Sequence, residues 1–189
     1  MKLYGSLTSP FVRKCRITAL EAGVDDRLEF VNTVVMDPKA DHPNPLNLVP
    51  SFQSDAGELI VDSPLICDYL QSLGNTSGPN DWADRTLVAL ADGMTDRAVS
   101  ITLESRRPSH EQSPSWITRW TDAILATITE LETRTPATFT PGAIALTCAL
   151  GYLDFRHANI DWRTGHESLA SWYEAQLTRP SVIATEHPR

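Results

Sequence analysis

The chain of 189 residues has little that would direct it to a membrane or a nucleic acid. No stretch approaches the ~20 consecutive apolar residues that cross a bilayer. Residues 1–5 have the pattern of a short apolar strand and not of a secretory signal. Sixteen basic residues face 24 acidic ones, a net charge of −8, and the short basic groups at 13–16 and 106–107 are too small to form a nucleic-acid surface. We therefore expect no membrane and no nucleic acid as partner.

Cysteine is also scarce, and the histidines form no motif. Cys15, Cys67 and Cys148 lie in apolar, helix-like segments without close pairing in sequence, which is typical of proteins from a reducing compartment. The five histidines are scattered through loop-like stretches without the spacing of metal ligands, so we expect no metal site. Together these features predict a soluble cytoplasmic protein.

The first third of the chain alternates strand and helix patterns. Residues 2–4 and 28–35 have strand character. Between them Ser9-Pro10 opens a helix, with serine as N-cap and proline at the first helical position, and Gly23 ends it. Four prolines between 37 and 50 predict a loop, and a hairpin with its turn at 55–57 follows. Ser63 is then expected to cap a second helix.

The rest of the chain has helical patterns only. A small, polar, turn-rich stretch predicts a linker over 76–81, between an α/β domain over 1–75 and an all-helical domain over 82–189. Thr140-Pro141 opens a helix so apolar on all sides that it should be the buried centre of a helical bundle. No acidic residue follows Thr140 to complete a capping box, which should cost this helix a contact worth ~1 kcal/mol.

Val49-Pro50 is the first of three segments suited to binding a peptide. An X-Pro bond is the one peptide bond for which the cis form costs little, although trans remains the commoner isomer. A cis Pro50 would leave the N–H and C=O of Val49 free to pair with an extended peptide as an added strand. A trans proline that begins a strand is the alternative interpretation.

Asp62-Ser63 is the second segment. Unpaired N–H groups and a partial positive charge at a helix N-terminus attract a carboxylate, to which the Ser63 hydroxyl adds a donor. Asp62 could hold an ammonium group beside it. The pair therefore suits the carboxylate and ammonium groups that an amino acid carries on its α-carbon. A plain serine N-cap is the alternative.

Ser9 is the third segment and the predicted chemical centre. Its hydroxyl lies at the N-terminus of the first helix, where the helix dipole favours negative charge, so it would lower the pKa of a bound thiol. Thr8 competes for this role, Tyr4 competes more weakly, and a simple helix cap is the alternative for Ser9.

These segments, in this order, resemble the glutathione transferase family over nearly the whole chain. Ser-Pro-Phe-Val-Arg-Lys at 9–14 is similar to the serine-type active-site segment of its bacterial branch. Asn-Pro-Leu-Asn-Leu-Val-Pro at 44–50 and Asp-Ser-x-x-Ile-x-x-Tyr-Leu at 62–70 match the glutathione-binding segments of the family. The resemblance implies a thioredoxin-like N-terminal domain followed by an all-helical bundle, a homodimer and a cytoplasmic location.

By this resemblance the protein activates the thiol of reduced glutathione for attack on a small electrophilic molecule, as in detoxification. Ser9 would donate to the sulfur, and Val49 would pair with the cysteinyl backbone in a geometry that Pro50 fixes. Asp62 and Ser63 would hold the γ-glutamyl end. The alternative is a non-catalytic member of the family that acts as a binding or regulatory module.

Four features depart from the family pattern. Pro64 after Ser63 removes one N–H at the start of the second helix, and the acidic residue of the capping box after Thr140 is missing. Leu48 stands where many relatives carry Lys, Gln or His toward the glycyl carboxylate, and Asp62 replaces the commoner Glu. Residues 9–12 lack both cysteines of the Cys-Pro-Phe-Cys sequence of redox relatives, which excludes two-cysteine disulfide exchange at this site. Cys15, further along the same helix, is expected to be a core residue.

Overall fold

The computed structural model describes residues 1–33, 42–74 and 81–188. Val34 and Val35 of the predicted second strand, and residues 76–80 of the predicted linker, lie outside the described residues. The elements in chain order are β1 (Lys2–Gly5), α1 (Pro10–Glu21), β2 (Glu29–Asn32), β3 (Ser51–Gln53), β4 (Leu59–Ile60), α2 (Ser63–Leu73), α3 (Trp82–Glu104), α4 (Pro114–Leu131), α5 (Pro141–Arg156), α6 (Glu167–Gln176) and α7 (Pro180–Ile183). This order, α/β and then all-helical, confirms the predicted fold class.

Contacts divide the chain into two units, Met1–Asn80 with Pro180–Arg189, and Asp81–Arg179. The first unit contains a four-stranded sheet in the order β2-β1-β3-β4. β1 and β2 are parallel, whereas β1 pairs with β3, and β3 with β4, in antiparallel fashion. Gly57 has φ +85° in the turn between β3 and β4, the conformation that the Asp-x-Gly pattern predicts.

The core of the first unit joins the sheet to α1 and α2. Leu3, Val12, Phe52 and Ile66 are all fully buried in one cluster. Gly5 is required where β1 meets α1, because a Cβ there would lie 2.4 Å from Cγ2 of Val12.

Two cysteines belong to this core. Cys15 is fully buried, which confirms the sequence prediction. Its sulfur lies 4.0 Å from that of Cys67. The sequence did not predict this contact, because the two residues are 52 positions apart. Both remain thiols.

The C-terminal segment packs against α1 in the first unit. Arg13 Nη2 donates to the Val182 carbonyl at 3.3 Å, and Arg16 Nη2 donates to the Ala184 carbonyl at 3.4 Å. Burial lowers the pKa of Arg16, as does the positive charge of Arg13. Pro180 begins α7, because proline suits the first turn of a helix.

The second unit is built around α5. Every residue from Gly142 to Leu153 is buried, as predicted for a central helix. The core around it includes Leu87 and Met94 of α3 and Ile124 of α4. Among the described residues, no helix is both long enough and apolar enough to cross a bilayer.

Asp84 of α3 supplies the cap that the local sequence of α5 lacks. Thr140 Oγ1 accepts the N–H of Ala143 at 3.2 Å, as expected for an N-cap. The carboxylate of Asp84 accepts the N–H of Gly142, at 3.2 Å from each oxygen, and the hydroxyl proton of Thr140. The local capping box is absent, as predicted, but Asp84 of a different helix offsets the loss by accepting another N–H at the start of α5. Gly142 leaves room for it, since a Cβ there would lie 2.6 Å from Asp84 Oδ1.

Replacing Asp84 should therefore destabilise the protein. In Asp84→Ala the buried N–H of Gly142 loses its acceptor, so we expect the free energy of unfolding to fall by about 2–4 kcal/mol. Asp122→Ala, at an exposed position on α4, is the matched control and should change it by less than about 0.5 kcal/mol. Urea denaturation measures both, and equal effects would contradict the capping role.

His157 follows α5 and fixes its C-terminal end to α3. The residue is 5% exposed. Its Nε2 lies 2.8 Å from the Ala98 carbonyl and 3.0 Å from Thr102 Oγ1. Burial lowers the pKa of His157; the hydrogen bond to Ala98 opposes this shift, and the positive charge of Arg156 adds to it.

This lowered pKa predicts a dependence of stability on pH. Below pH about 6.5, the ordinary histidine pKa, His157 binds a proton in the unfolded chain but resists protonation in the folded chain. The free energy of unfolding should therefore fall as the pH falls from about 6.5 toward the folded pKa of His157. In His157→Gln, which keeps a donor for Ala98, that part of the loss should disappear. Denaturation midpoints of both proteins between about pH 5 and 8 measure the difference, and parallel profiles would refute the assignment.

Candidate functional site

The sheet brings the three predicted segments to one edge. Strands in an antiparallel pair run in opposite directions, so the end of β1, the start of β3 and the end of β4 lie together. Ser9 follows β1, Val49-Pro50 precedes β3, and Asp62-Ser63 follows β4. In agreement with this placement, Cys15 Sγ of α1 lies 3.9 Å from the carbonyl oxygen of Ser63.

Ser9 is the N-cap of α1, as predicted, and is half-buried. Its Oγ accepts the N–H of Val12 at 3.3 Å, and its own N–H donates to the Ser6 carbonyl at 3.0 Å. Because Oγ serves as the acceptor in the cap, its hydroxyl proton can still be donated to a bound group. The cap role and the chemical role are therefore compatible in one residue.

Thr8 has a different environment. Its Oγ1 lies 2.9 Å from the Oγ of Ser6, and its N–H donates to the same oxygen at 3.3 Å. The first of these contacts holds the side chain of Thr8 against Ser6, within the loop that precedes α1. Tyr4, the weaker competitor, lies within β1, opposite Ser51.

The Val49–Pro50 peptide bond is cis, whereas the sequence left this bond open between the two isomers. Within the described residues, no hydrogen bond between backbone groups uses the N–H or C=O of Val49. Leu48, one residue earlier, is 59% exposed. The backbone of Val49 therefore has no backbone partner in the part of the chain that the structure describes, which is the condition for pairing with an added strand.

Asn44 holds this loop in place, a role that the sequence reasoning missed. Its Nδ2 donates to the Leu48 carbonyl at 2.8 Å, and its Oδ1 accepts the N–H of Leu46 at 3.0 Å. Asn44 makes both hydrogen bonds as a buried residue, only 6% exposed. Asparagine commonly bonds nearby backbone groups in this way, so the Asn-Pro pair in the motif was the available signal.

Asp62, and not Ser63, is the N-cap of α2. The N–H of Ile66 donates to the Asp62 carbonyl at 3.0 Å, so the first helical bond begins there and Ser63 is already helical. The expectation that Ser63 caps the helix was therefore wrong by one residue. The carboxylate of Asp62 is exposed and makes no capping bond, and the Val61–Asp62 peptide is also cis.

The electrostatics of this edge favour anions. α1 and α2 both begin here, and each helix N-terminus carries a partial positive charge and N–H groups without helical partners. Pro10 and Pro64 each remove one N–H, which leaves fewer donors than at an ordinary helix start. Two anionic groups, such as a thiolate and a carboxylate, are what this arrangement attracts. Residues 1–33, 42–74 and 81–188 contain no cluster of three or more His, Cys, Asp or Glu that could hold a metal ion.

Comparison with known proteins agrees with this architecture. Residues 3–78 match the family model for the N-terminal domain of glutathione S-transferase, and residues 114–175 match the model for its C-terminal domain. YibF, an uncharacterised GST-like protein of Escherichia coli K12, is 34% identical to this chain over 205 residues. The match covers the full length of both proteins.

Two crystal structures of a glutathione transferase family member from Pseudomonas fluorescens Pf-5 are also similar. One, with bound glutathione, is 33% identical with a TM-score of 0.92, over 100% of this chain and 99% of the other. The other, with bound S-(propanoic acid)-glutathione, is 32% identical with a TM-score of 0.88, over 100% of both chains. These matches span both halves of the sequence, and the chain belongs to the glutathione S-transferase family.

Proposed function

We propose that this protein is a serine-type glutathione transferase that activates the thiol of reduced glutathione for attack on a small electrophile. The observation that carries the proposal is the Ser9 hydroxyl at the start of α1, whose oxygen caps the helix while its proton can still be donated. Similar proteins with bound glutathione and with a sulfur-substituted glutathione support the choice of ligand.

Ser9 would act on the sulfur by stabilising its anion. A hydroxyl donor and the positive end of the α1 dipole both favour the thiolate over the thiol, which lowers the pKa of the bound thiol. The thiol proton passes to water. The sulfur lone pair then forms a carbon–sulfur bond with the electrophile, and the displaced electron pair leaves with the leaving group or is protonated after an addition.

The rest of the tripeptide would lie along the same edge of the sheet. The backbone N–H and C=O of Val49 pair with the cysteinyl residue as an added strand, and Pro50 holds that backbone in place. Ser63 and the start of α2 take the γ-glutamyl carboxylate, and Asp62 takes the ammonium group beside it. Leu48 offers no polar group to the glycyl carboxylate, so this end is bound more weakly.

The family also supplies expectations about the whole molecule. We propose that the protein is a homodimer in the cytoplasm and that it acts in detoxification. The second candidate is a binding or regulatory module without catalysis, which the apolar Leu48 and the shorter Asp62 favour because both reduce contacts with glutathione. Retention on immobilised glutathione together with an activity panel over several electrophile classes separates the two: a module is retained and converts none of them.

Ser9→Gly tests the chemical role apart from the cap. Glycine is nearly as good an N-cap as serine, so stability should fall by only a few tenths of a kcal/mol. Loss of a hydrogen bond to an anion should raise the pKa of bound glutathione by about 1–2 units and lower kcat/KM about 10–100-fold. Thiolate absorbance against pH and steady-state kinetics measure the two effects.

Thr8→Val is the matched control, because it removes a hydroxyl from the neighbouring residue. It should leave the pKa of bound glutathione where it is in the wild type. If Thr8→Val and not Ser9→Gly shifted that pKa, the roles of the two residues would have to be exchanged.

Leu48→Lys should strengthen the binding of glutathione. The side chain at 48 is 59% exposed, so a longer polar chain fits without repacking. A new contact with the glycyl carboxylate should lower the Kd about 3–10-fold, and less at high salt because an exposed ion pair is screened. Titration calorimetry of wild type and variant measures this. Leu46→Lys, at an exposed position two residues away, is the control and should have no such effect.

A further inference from the structure

Two thiols of the first unit lie in contact between α1 and α2. The sulfur atoms of Cys15 in α1 and Cys67 in α2 are 4.0 Å apart. Cys15 is fully buried, whereas Cys67 is 7% exposed, so a small reagent reaches Cys67 first. The third cysteine, Cys148, is buried in α5 of the second unit. The proposed transferase chemistry uses none of the three.

Hydrogen bonds connect this pair to both helices. Thr18 Oγ1 of α1 lies 2.9 Å from the Lys14 carbonyl and 3.4 Å from Cys67 Sγ, so its proton is directed to one or the other. The Cys67 thiol donates to Cys15 Sγ. Because the thiolate is the reactive form of cysteine, a hydroxyl donor beside Cys67 assists its reaction.

The pair also contacts the candidate site. Cys15 Sγ donates to the carbonyl oxygen of Ser63 at 3.9 Å, and Ser63 is the first residue of α2. Ser9 caps the other helix of the pair, α1. A change in the bonding of Cys15 therefore reaches a residue proposed to bind glutathione through one direct contact.

The surroundings of the two sulfurs favour a neutral oxidation product. Val12, Ile66 and Leu70 are fully buried in the same cluster. A sulfinate or a metal-bound thiolate would place a charge in this apolar core, whereas a disulfide is neutral. To form a disulfide the sulfurs must approach from 4.0 Å to about 2.05 Å, which shifts the contact between α1 and α2. Cys15 would then have no S–H to donate to Ser63.

We propose that Cys15 and Cys67 are a redox modification site, which hydrogen peroxide converts from a dithiol to a disulfide that weakens the binding of glutathione. The effect on glutathione rests on the proposed function, whereas the oxidation of the thiols does not. A disulfide in a protein from a reducing compartment is transient, and exchange with free thiols returns this one to the dithiol.

The oxidation takes two steps. The Cys67 sulfur attacks one peroxide oxygen, the O–O bond breaks, and the second oxygen leaves with the electron pair and takes up a proton as water. Cys67 is then a sulfenic acid. The Cys15 sulfur attacks the Cys67 sulfur, the S–O bond breaks, and a second water carries away the oxygen and the thiol proton of Cys15. Two thiols have lost two electrons to the peroxide.

Mass spectrometry of the full chain after treatment with hydrogen peroxide tests the modification. The protein should lose two hydrogens, proteolysis should give a peptide that links Cys15 to Cys67, and Cys148 should remain a thiol. Dithiothreitol should restore the original mass. The assignment fails if all three thiols persist, if Cys67 proceeds to a sulfinic acid without a link to Cys15, or if Cys148 is oxidised equally fast.

Titration calorimetry tests the effect on the candidate site. S-methylglutathione is the probe, because it has no thiol that could reduce the disulfide. Peroxide-treated protein should bind it about tenfold more weakly than reduced protein, and dithiothreitol should restore the affinity. Equal affinities of the oxidised and reduced proteins would overturn the link between the thiol pair and glutathione binding.

Two variants complete the experiment. Cys67→Ser keeps a side chain of similar size that donates and accepts hydrogen bonds, so peroxide should leave its affinity for S-methylglutathione unchanged. Cys148→Ala is the matched control and should form the disulfide and lose affinity as the wild type does. An equal loss in Cys67→Ser would contradict the proposal. If the reduced wild type does not bind S-methylglutathione, the proposed transferase function fails, and the linked peptide still decides whether Cys15 and Cys67 are a modification site.

Discussion

Backbone hydrogen bonds between β1, β3 and β4 hold together chain segments that lie up to about fifty residues apart. Tyr4 is opposite Ser51, and Phe52 is opposite Ile60, so the loops beyond these pairs meet at one edge of the sheet. A shift of one residue in either register would turn the buried Leu3 and Phe52 toward the opposite face. The core beneath the candidate site therefore sets where its segments meet, and Asn44 anchors the loop that carries Val49.

Local signals in the sequence were sufficient for most of the first unit. Proline after a capping serine at Ser9, and an Asp-x-Gly turn ending at Gly57, each act through a few neighbouring residues. The near-absence of polar residues in α5 likewise predicted its burial. One local expectation, the Ser63 cap, was wrong by one residue, and the other features that the sequence did not show depended on contacts between distant residues. The carboxylate of Asp84 reaches the start of α5 from a position 56 residues earlier than Thr140, and no local pattern encodes that distance.

The features of the candidate site likewise divide into those that local sequence signals predict and those that only the folded structure shows. Side-chain types at helix starts pointed to Ser9 and Asp62, because the chemistry of a helix N-terminus is local. The isomer of the Val49–Pro50 bond and the anchoring of its loop by Asn44 could not be read from spacing alone. A cavity lined by α3, α4 and the end of α5 gave no signal in the sequence, since its lining is drawn from three separate stretches of chain. A sequence motif identifies a function through the residues that relatives share, whereas a cavity such as this one is visible only once the helices are packed.

The packing of the last residues against α1 bears on how this protein can be divided. Val182 is 1% exposed, and its carbonyl binds Arg13, which lies one turn beyond Ser9 in the same helix. The sheet-containing unit is thus discontinuous along the polypeptide and is complete only when both chain ends are present. A recombinant fragment that stops after α2 would lack the segment that covers the buried guanidinium, and a circular permutant that joins the two termini would retain it.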